Sequence, residues 1–249
     1  TMSLCTSNLP SPEIALPTDH FNTLPYQGNG TAISITGVGF QPDFVWFKNR
    51  TGPFAGRDHK LVDVVRGADK EVESSTDDAE ATSYVDSFDS DGFTLAGDYG
   101  KNPPSGTNTV AWNWKAGGTA VSNTDGTITS SVSANTDAGF SIVSYTGTLS
   151  NETVGHGLSQ APELLIIKSR TVASTSWAVG SDEMTSWVYS MELDTTDAEA
   201  SVPSRFNSTA PTSSVFSIGT SGYTNVNTED FIAYCFHSVD GYSKVGSYT

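Results

Sequence analysis

Asp89-Ser90-Asp91-Gly92 places two carboxylates around a turn glycine, with Asp98 beyond it. Hard oxygen ligands at alternate positions of a tight loop suit Ca2+. Asp89, Asp91 and Asp98 are therefore the candidate metal ligands, and calcium is the one cofactor the sequence admits. The spacing departs from an EF-hand, because the twelfth position counted from Asp89 is Gly100 and not a bidentate Glu. The plainer reading is a β-turn with solvated carboxylates. Sugar recognition is the other chemistry on offer. Tyr99, Asn102 and Asn108 fall in the stretch Gly97 to Thr109, and Tyr223, Asn225 and Asn227 in Gly219 to Glu229. An aromatic ring covers a sugar face while amides donate to and accept from its hydroxyls, so these six are the candidate ligand-binding residues.

Catalysis finds less support. A serine nucleophile on a Gly-x-Ser-x-Gly elbow is missing, and the histidines are scattered at His20, His59, His156 and His237. His156 sits in the turn Gly155-His156-Gly157, where the first half of the chain has Gly37-Val38-Gly39. Paired carboxylates for glycoside hydrolysis cannot be singled out on so acidic a chain. No catalytic residue is assigned, and the chain reads as a non-enzyme.

The elements that must position these groups are short strands. Thr31 to Ile35 alternates as a half-buried strand after the turn Gly28-Asn29-Gly30. Phe44 to Phe47 and Leu164 to Ile167 are apolar on both faces, as in central strands or where two sheets or two copies meet. Trp46, Trp112 and Trp114 belong to such strands and read as core or interface packing. Only Thr76 to Ala81 and Thr195 to Ala200 have the Thr/Asp cap and Ala/Glu content for a single helical turn. Runs spaced by about eight to twelve residues with Gly-rich turns predict sandwiches.

The chain also contains itself twice. Pro42 to Arg50 returns 120 positions later as Pro162 to Arg170, and Asp78-Ala79-Glu80-Ala81 returns as Asp197-Ala198-Glu199-Ala200. Val110 to Lys115 returns as Ile232 to His237. Matches in one order at nearly one spacing mark an internal duplication. The expected architecture is all-β: two tandem antiparallel β-sandwiches, jelly-roll or concanavalin-like. An extended arm (residues 1–20) precedes the first sandwich (21–120), a connecting hairpin or strand (121–138) and the second sandwich (139–249). Gly241 to Thr249 echoes Gly139 to Thr146, so it either closes the second sandwich or begins a third copy.

A formal charge of −16 with 12 basic residues argues against nucleic acid and anionic membranes. No apolar run approaches the ~18 residues that span a bilayer. Cys235 lies in an apolar strand and reads as a buried thiol, although pairing with Cys5 stays open.

The run Gly37 to Arg50 resembles the opening of a repeat domain common in virion proteins of marine bacteriophages, cyanophages and related podoviruses among them. Val65 to Lys70, Val110 to Gly118, Gly139 to Gly147 and Ala233 to Lys244 carry the same resemblance, which runs from about residue 21 to the end. In the second half the Val-Arg-Gly-Ala element is lost around Asp182 to Ser186. The resemblance implies a non-enzymatic virion structural protein, a capsid fibre or knob or a tail fibre, on the particle surface. It further implies homo-oligomers, contact with other virion proteins through the arm, and a host cell-surface glycan as ligand. A free lectin-like module and a polysaccharide depolymerase are the alternatives.

Overall fold

Alternation along β3 (Phe44–Thr51) shows how the sequence becomes layers. Val45 and Phe47 point to one side, into a cluster with Ile35, Val62, Phe93 and Leu95. Phe44 points to the other, into a cluster with Leu61, Val72, Phe140, Trp177 and Tyr234. In β14 (Leu164–Ser169), Leu165 and Ile167 enter a third cluster with Phe216, Ile218 and Phe231, while Ile166 joins the cluster of Phe44. Both doubly apolar strands are thus explained: one face fills a sandwich and the other fills the seam between the halves.

The computed structural model describes residues 14–97 and 103–248, and apart from one 3-10 turn at Pro17–Asp19 their regular structure is all β. The first half contributes β1 (Phe21–Gln27), β2 (Ile33–Thr36), β3, β4 (Lys60–Asp63), β5 (Gly67–Glu73), β6 (Ala81–Thr82), β7 (Val85–Asp89), β8 (Gly92–Leu95) and β9 (Asn108–Trp114). They form a six-stranded sheet, β1-β9-β3-β4-β5-β6, faced by β2-β8-β7. Then come β10 (Val121–Asn123), β11 (Ser130–Asn135), β12 (Phe140–Thr146), β13 (Glu152–Gly155), β14, β15 (Ala178–Ser181), β16 (Tyr189–Glu192), β17 (Ala200–Ser201), β18 (Val215–Ile218) and β19 (Asp230–Phe236). Their large sheet runs β10-β11-β12-β19-β14-β15-β16-β17, faced by the pair β13-β18. All pairings between named strands are antiparallel, as in sandwiches. Four layers therefore stack with an apolar cluster in each of the three gaps.

The two large sheets share a strand order: β1-β9-β3-β4-β5-β6 is matched by β12-β19-β14-β15-β16-β17. The expected connecting segment is a hairpin, β10–β11, that extends the second sheet.

Three expectations are corrected. Residues 76–81 and 195–200 make no helical turn. Glu80 N–H donates to Arg170 O at 2.8 Å and Asp77 O accepts from Thr175 N–H at 3.2 Å, so the first stretch is held extended against the second half. The end of the arm is docked as well: Ile14 is buried with Ala138 and Val239, and Lys115 N–H donates to His20 O at 2.8 Å. The rest of the arm, Cys5 included, lies outside the described residues. Finally, residues 242–248 do not close the second sandwich as a strand. Beyond the bridge Val239–Ser243 they are held by bonds such as Val245 N–H to Ser238 Oγ at 3.0 Å. Cys235 is a free, fully buried thiol whose pKa burial pushes up to about 12.

Candidate functional site

Strand register brings the unspent aromatic and basic groups together on one face of the first large sheet. Trp46 pairs with Trp112, and Lys48 with Val110; directly opposed residues share a face. His59, just before β4, completes the patch. Its Nδ1 accepts from Trp46 Nε1–H at 2.9 Å, and its ring stacks on Trp112 at 6.5 Å with planes 3° apart. The neutral ring therefore carries its proton on Nε2. Burial lowers the His59 pKa, Lys48 adds to the effect and Asp58 opposes it. Lys48 Nζ donates to Arg57 O at 2.8 Å, and the Arg57 guanidinium lies 4.4 Å from the Phe54 ring centroid. Arg50 projects, exposed, from the bulge between Asn49 and Thr51. Among the described residues no carboxylate pairs with Lys48, Arg50 or Arg57. Beside them is a shallow pocket of about 370 Å3 lined by Gln27, Arg50, Thr51 and Asn108. On a chain of charge −16 this concentration of indoles and cations is the exception. It can seat an apolar or planar group on the rings and an anion on Arg50.

The residues anticipated from the sequence fare unevenly. Tyr99, Asn102 and Asp98 lie outside the described residues. The two loops do occupy equivalent places, between β8 and β9 and between β18 and β19. Asn108 is exposed and donates to Thr51 Oγ1 at 2.6 Å, and Asn227 is exposed. Asn225 is not a surface ligand. Its buried amide donates to Ser150 O (2.6 Å) and Gly219 O (2.7 Å) and accepts from Thr148 N–H (2.6 Å) and Leu149 N–H (3.1 Å), bracing two loops. Tyr223 is half-buried on the second core, under the Arg205 guanidinium at 4.4 Å.

Asp89 and Asp91 lie at the hairpin turn between β7 and β8. Asp89 accepts from Ser87 Oγ (2.8 Å) and Thr94 Oγ1 (2.7 Å), and Asp91 from the N–H groups of Gly37 (3.1 Å) and Gly39 (2.6 Å). Both carboxylates are committed to neighbouring turns. Gly92 is needed there at φ +150, since a Cβ would run into Ile35 O. Among the described residues no three His, Cys, Asp or Glu side chains are grouped so as to hold a metal ion.

Sequence reasoning missed the polar clasp across the seam. Arg66 Nε donates to Asp63 Oδ2 at 2.6 Å, and both side chains are fully buried. Tyr234 of the second half donates to Asp63 Oδ2 at 2.9 Å and accepts from Arg66 at 3.2 Å. Glu80 bridges Arg66 (3.4 Å) to Arg170 (2.9 and 3.2 Å). Lys168, also buried, donates to Thr175 O at 2.7 Å and Asp77 O at 3.1 Å. The one signal was the repeat itself, which sets Lys48 and Arg50 against Lys168 and Arg170.

Residues 16–249 match the family model described as a domain of unknown function, DUF7483. The chain belongs to this family. The DUF7483 match spans both halves, the seam and its clasp included. No curated protein and no solved structure matches the chain.

His156 gives this DUF7483 chain a pH response of known sign. The buried ring accepts from Leu158 N–H at Nδ1 (3.1 Å) and donates from Nε2 to Thr212 O (3.1 Å), a bonding pattern of the neutral form. Burial lowers its pKa, and the Thr212 carbonyl only partly opposes this. The unfolded chain takes up this proton near pH ~6.5, the folded chain only at lower pH. Stability is full above the unfolded value and falls as pH drops below it, until the folded value is reached. His59 adds in the same direction. Urea midpoints from pH 7.5 to 5 should therefore fall, and His156→Gln should fall less steeply; an unchanged slope in the variant would remove His156 as a cause.

Proposed function

We propose that the chain is a non-enzymatic structural protein of a bacteriophage particle, built by duplication of one β-sandwich and displayed on the virion surface. The observation that carries the reading is the seam. The two halves share an apolar layer and a buried ionic clasp, as suits a rigid building block rather than two independent binding modules. Duplication is supported by the matched strand orders and by matched details. Lys48 and Lys168 bond Arg57 O and Thr175 O alike, and Asp43 and Glu163 donate alike from their N–H groups to Trp114 O and Phe236 O. The use of Asp89, Asp91 and Asn225 in internal bonds agrees with a structural role. The phage assignment rests on the sequence resemblance.

In this reading the anchor to the particle shortens to residues 1–13, because Ile14 is buried in the fold and His20 O is bonded to Lys115 N–H. Host-glycan contact falls to exposed members of the two loops, Asn108 and Asn227. Mass spectrometry of purified virions tests the reading. Many copies per particle are expected, and a protein found only in the lysate and not in particles would end it.

A further inference from the structure

The seam is one-sided, and this leaves two complementary faces open. Register defines which residues correspond. Trp46 pairs with Leu61 and Leu61 with Val72; Ile166 pairs with Val179 and Val179 with Met191. The first half thus presents Phe44, Leu61 and Val72 to the seam, where they are 1%, 0% and 0% exposed. The corresponding Leu164 and Met191 line an apolar groove of about 910 Å3, with Met191 38% exposed; Val179, which also lines it, is 7% exposed and belongs to the seam cluster, and Trp46 and Trp114 of the first half border the groove as well. Conversely, the second half receives with Ile166, Trp177, Tyr234, Lys168 and Arg170. Their counterparts Trp46, His59, Trp112, Lys48 and Arg50 are half-exposed or exposed and lie outside the seam's clasp. The acidic finger is likewise used once: Glu80 grips Arg170, while the matching Glu199 lies on the surface, bonded to Thr185.

We propose that a second copy of this chain docks head to tail by repeating the seam. The groove edge of Leu164 and Met191 and the Glu199 carboxylate of one molecule seat on the Trp46–His59–Trp112 face and Arg50 of the next. This rests on the duplication reading, since the correspondence of residues is what defines the two faces. Charges complement, Arg50 being a cation with no ion pair among the described residues and Glu199 the repeat of the residue that binds its counterpart. Chemistry complements too. The seam sets Asp63 and Arg66 against the Tyr234 hydroxyl; the open faces have Ser181 and Met184 in place of the acid and base, and Trp112, with no hydroxyl, in place of the tyrosine. A contact between unlike faces closes a ring or extends a filament. Residues 243–248 border the same groove and would flank the docked copy.

Sedimentation of the whole chain over a concentration series is the test, with Arg50→Glu and Glu199→Arg. Both positions are at the surface, so melting temperatures should stay at the wild-type value. The wild type should associate beyond dimers, and each variant alone should sediment as a monomer. An equimolar mixture should again associate beyond dimers, because its junctions alternate between the native Glu199–Arg50 pair and the pair reversed by E199R and R50E. The double variant should assemble again. A wild type that stays monomeric at every concentration, or assembly indifferent to both reversals, overturns the proposal. Superposition of the two halves in a crystal structure tests duplication separately, so the two failures are read from different measurements.

Discussion

Replacing Arg66 with Met is expected to destabilise the fold by about 3–5 kcal/mol, the usual cost of leaving one member of a buried ion pair behind. Asp63 would keep the N–H groups of Val65 (3.0 Å) and residue 66 (2.9 Å) and the Tyr234 hydroxyl, but its charge would have no counter-ion in a site sealed from water. At roughly 2–4 °C per kcal/mol for a chain of this size, the melting temperature should drop by roughly 6–20 °C. The informative partner is the triple variant D63N/R66M/Y234F. The amide that replaces the Asp63 carboxylate would still accept from the two backbone N–H groups, and no buried charge or hydroxyl would be stranded. Exchanging a buried ionic group for well-packed neutral residues is often neutral or stabilising, so the triple should recover to within about 1–2 kcal/mol of wild type. Urea denaturation of the three proteins decides. A loss below about 1 kcal/mol in R66M would mean that water reaches the pair.

That clasp was beyond reach from the sequence, for a physical reason. Arg66 and Tyr234 are 168 positions apart, and Glu80 and Arg170 are 90 apart; no local pattern encodes which distant partner a charged side chain meets. The acidic stretch Thr76 to Ala81 illustrates the same limit. Its cap-like Thr and Asp and its Ala and Glu satisfy local rules for a helical turn, and the extended form is decided instead by Arg170, Thr175 and Lys168. Asn225 was judged by composition, as an amide in a loop, although the backbone of the neighbouring loop consumes it. Strand positions were legible because burial writes itself into the residue types: alternation from Thr31 to Ile35 marks one buried face, and the unbroken apolar runs Phe44 to Phe47 and Leu164 to Ile167 mark two. The sequence left open whether those strands were central or met a second copy. In the structure each is central in its sheet, and one of its faces meets the other half of the chain.

The two halves should melt as one. Phe44 tests this, since it belongs to a first-half strand but packs on second-half rings, 4.5 Å from Tyr234 and 5.8 Å from Phe140 between centroids, at 1% exposure. Phe44→Ala should cost about 3–5 kcal/mol, as for other deletions of a buried aromatic ring. A flexible tether between independent sandwiches would leave such a residue near the surface, with a cost below about 1 kcal/mol. The seam cluster holds as many large buried side chains as the cluster inside the first sandwich, so opening it exposes enough apolar surface to destabilise both neighbours. Calorimetry of wild type and F44A should each give a single peak with van't Hoff and calorimetric enthalpies equal, the variant's at lower temperature. Two resolved peaks in the wild type would show that the seam does not couple the halves. A second peak only in F44A would place the coupling in this ring.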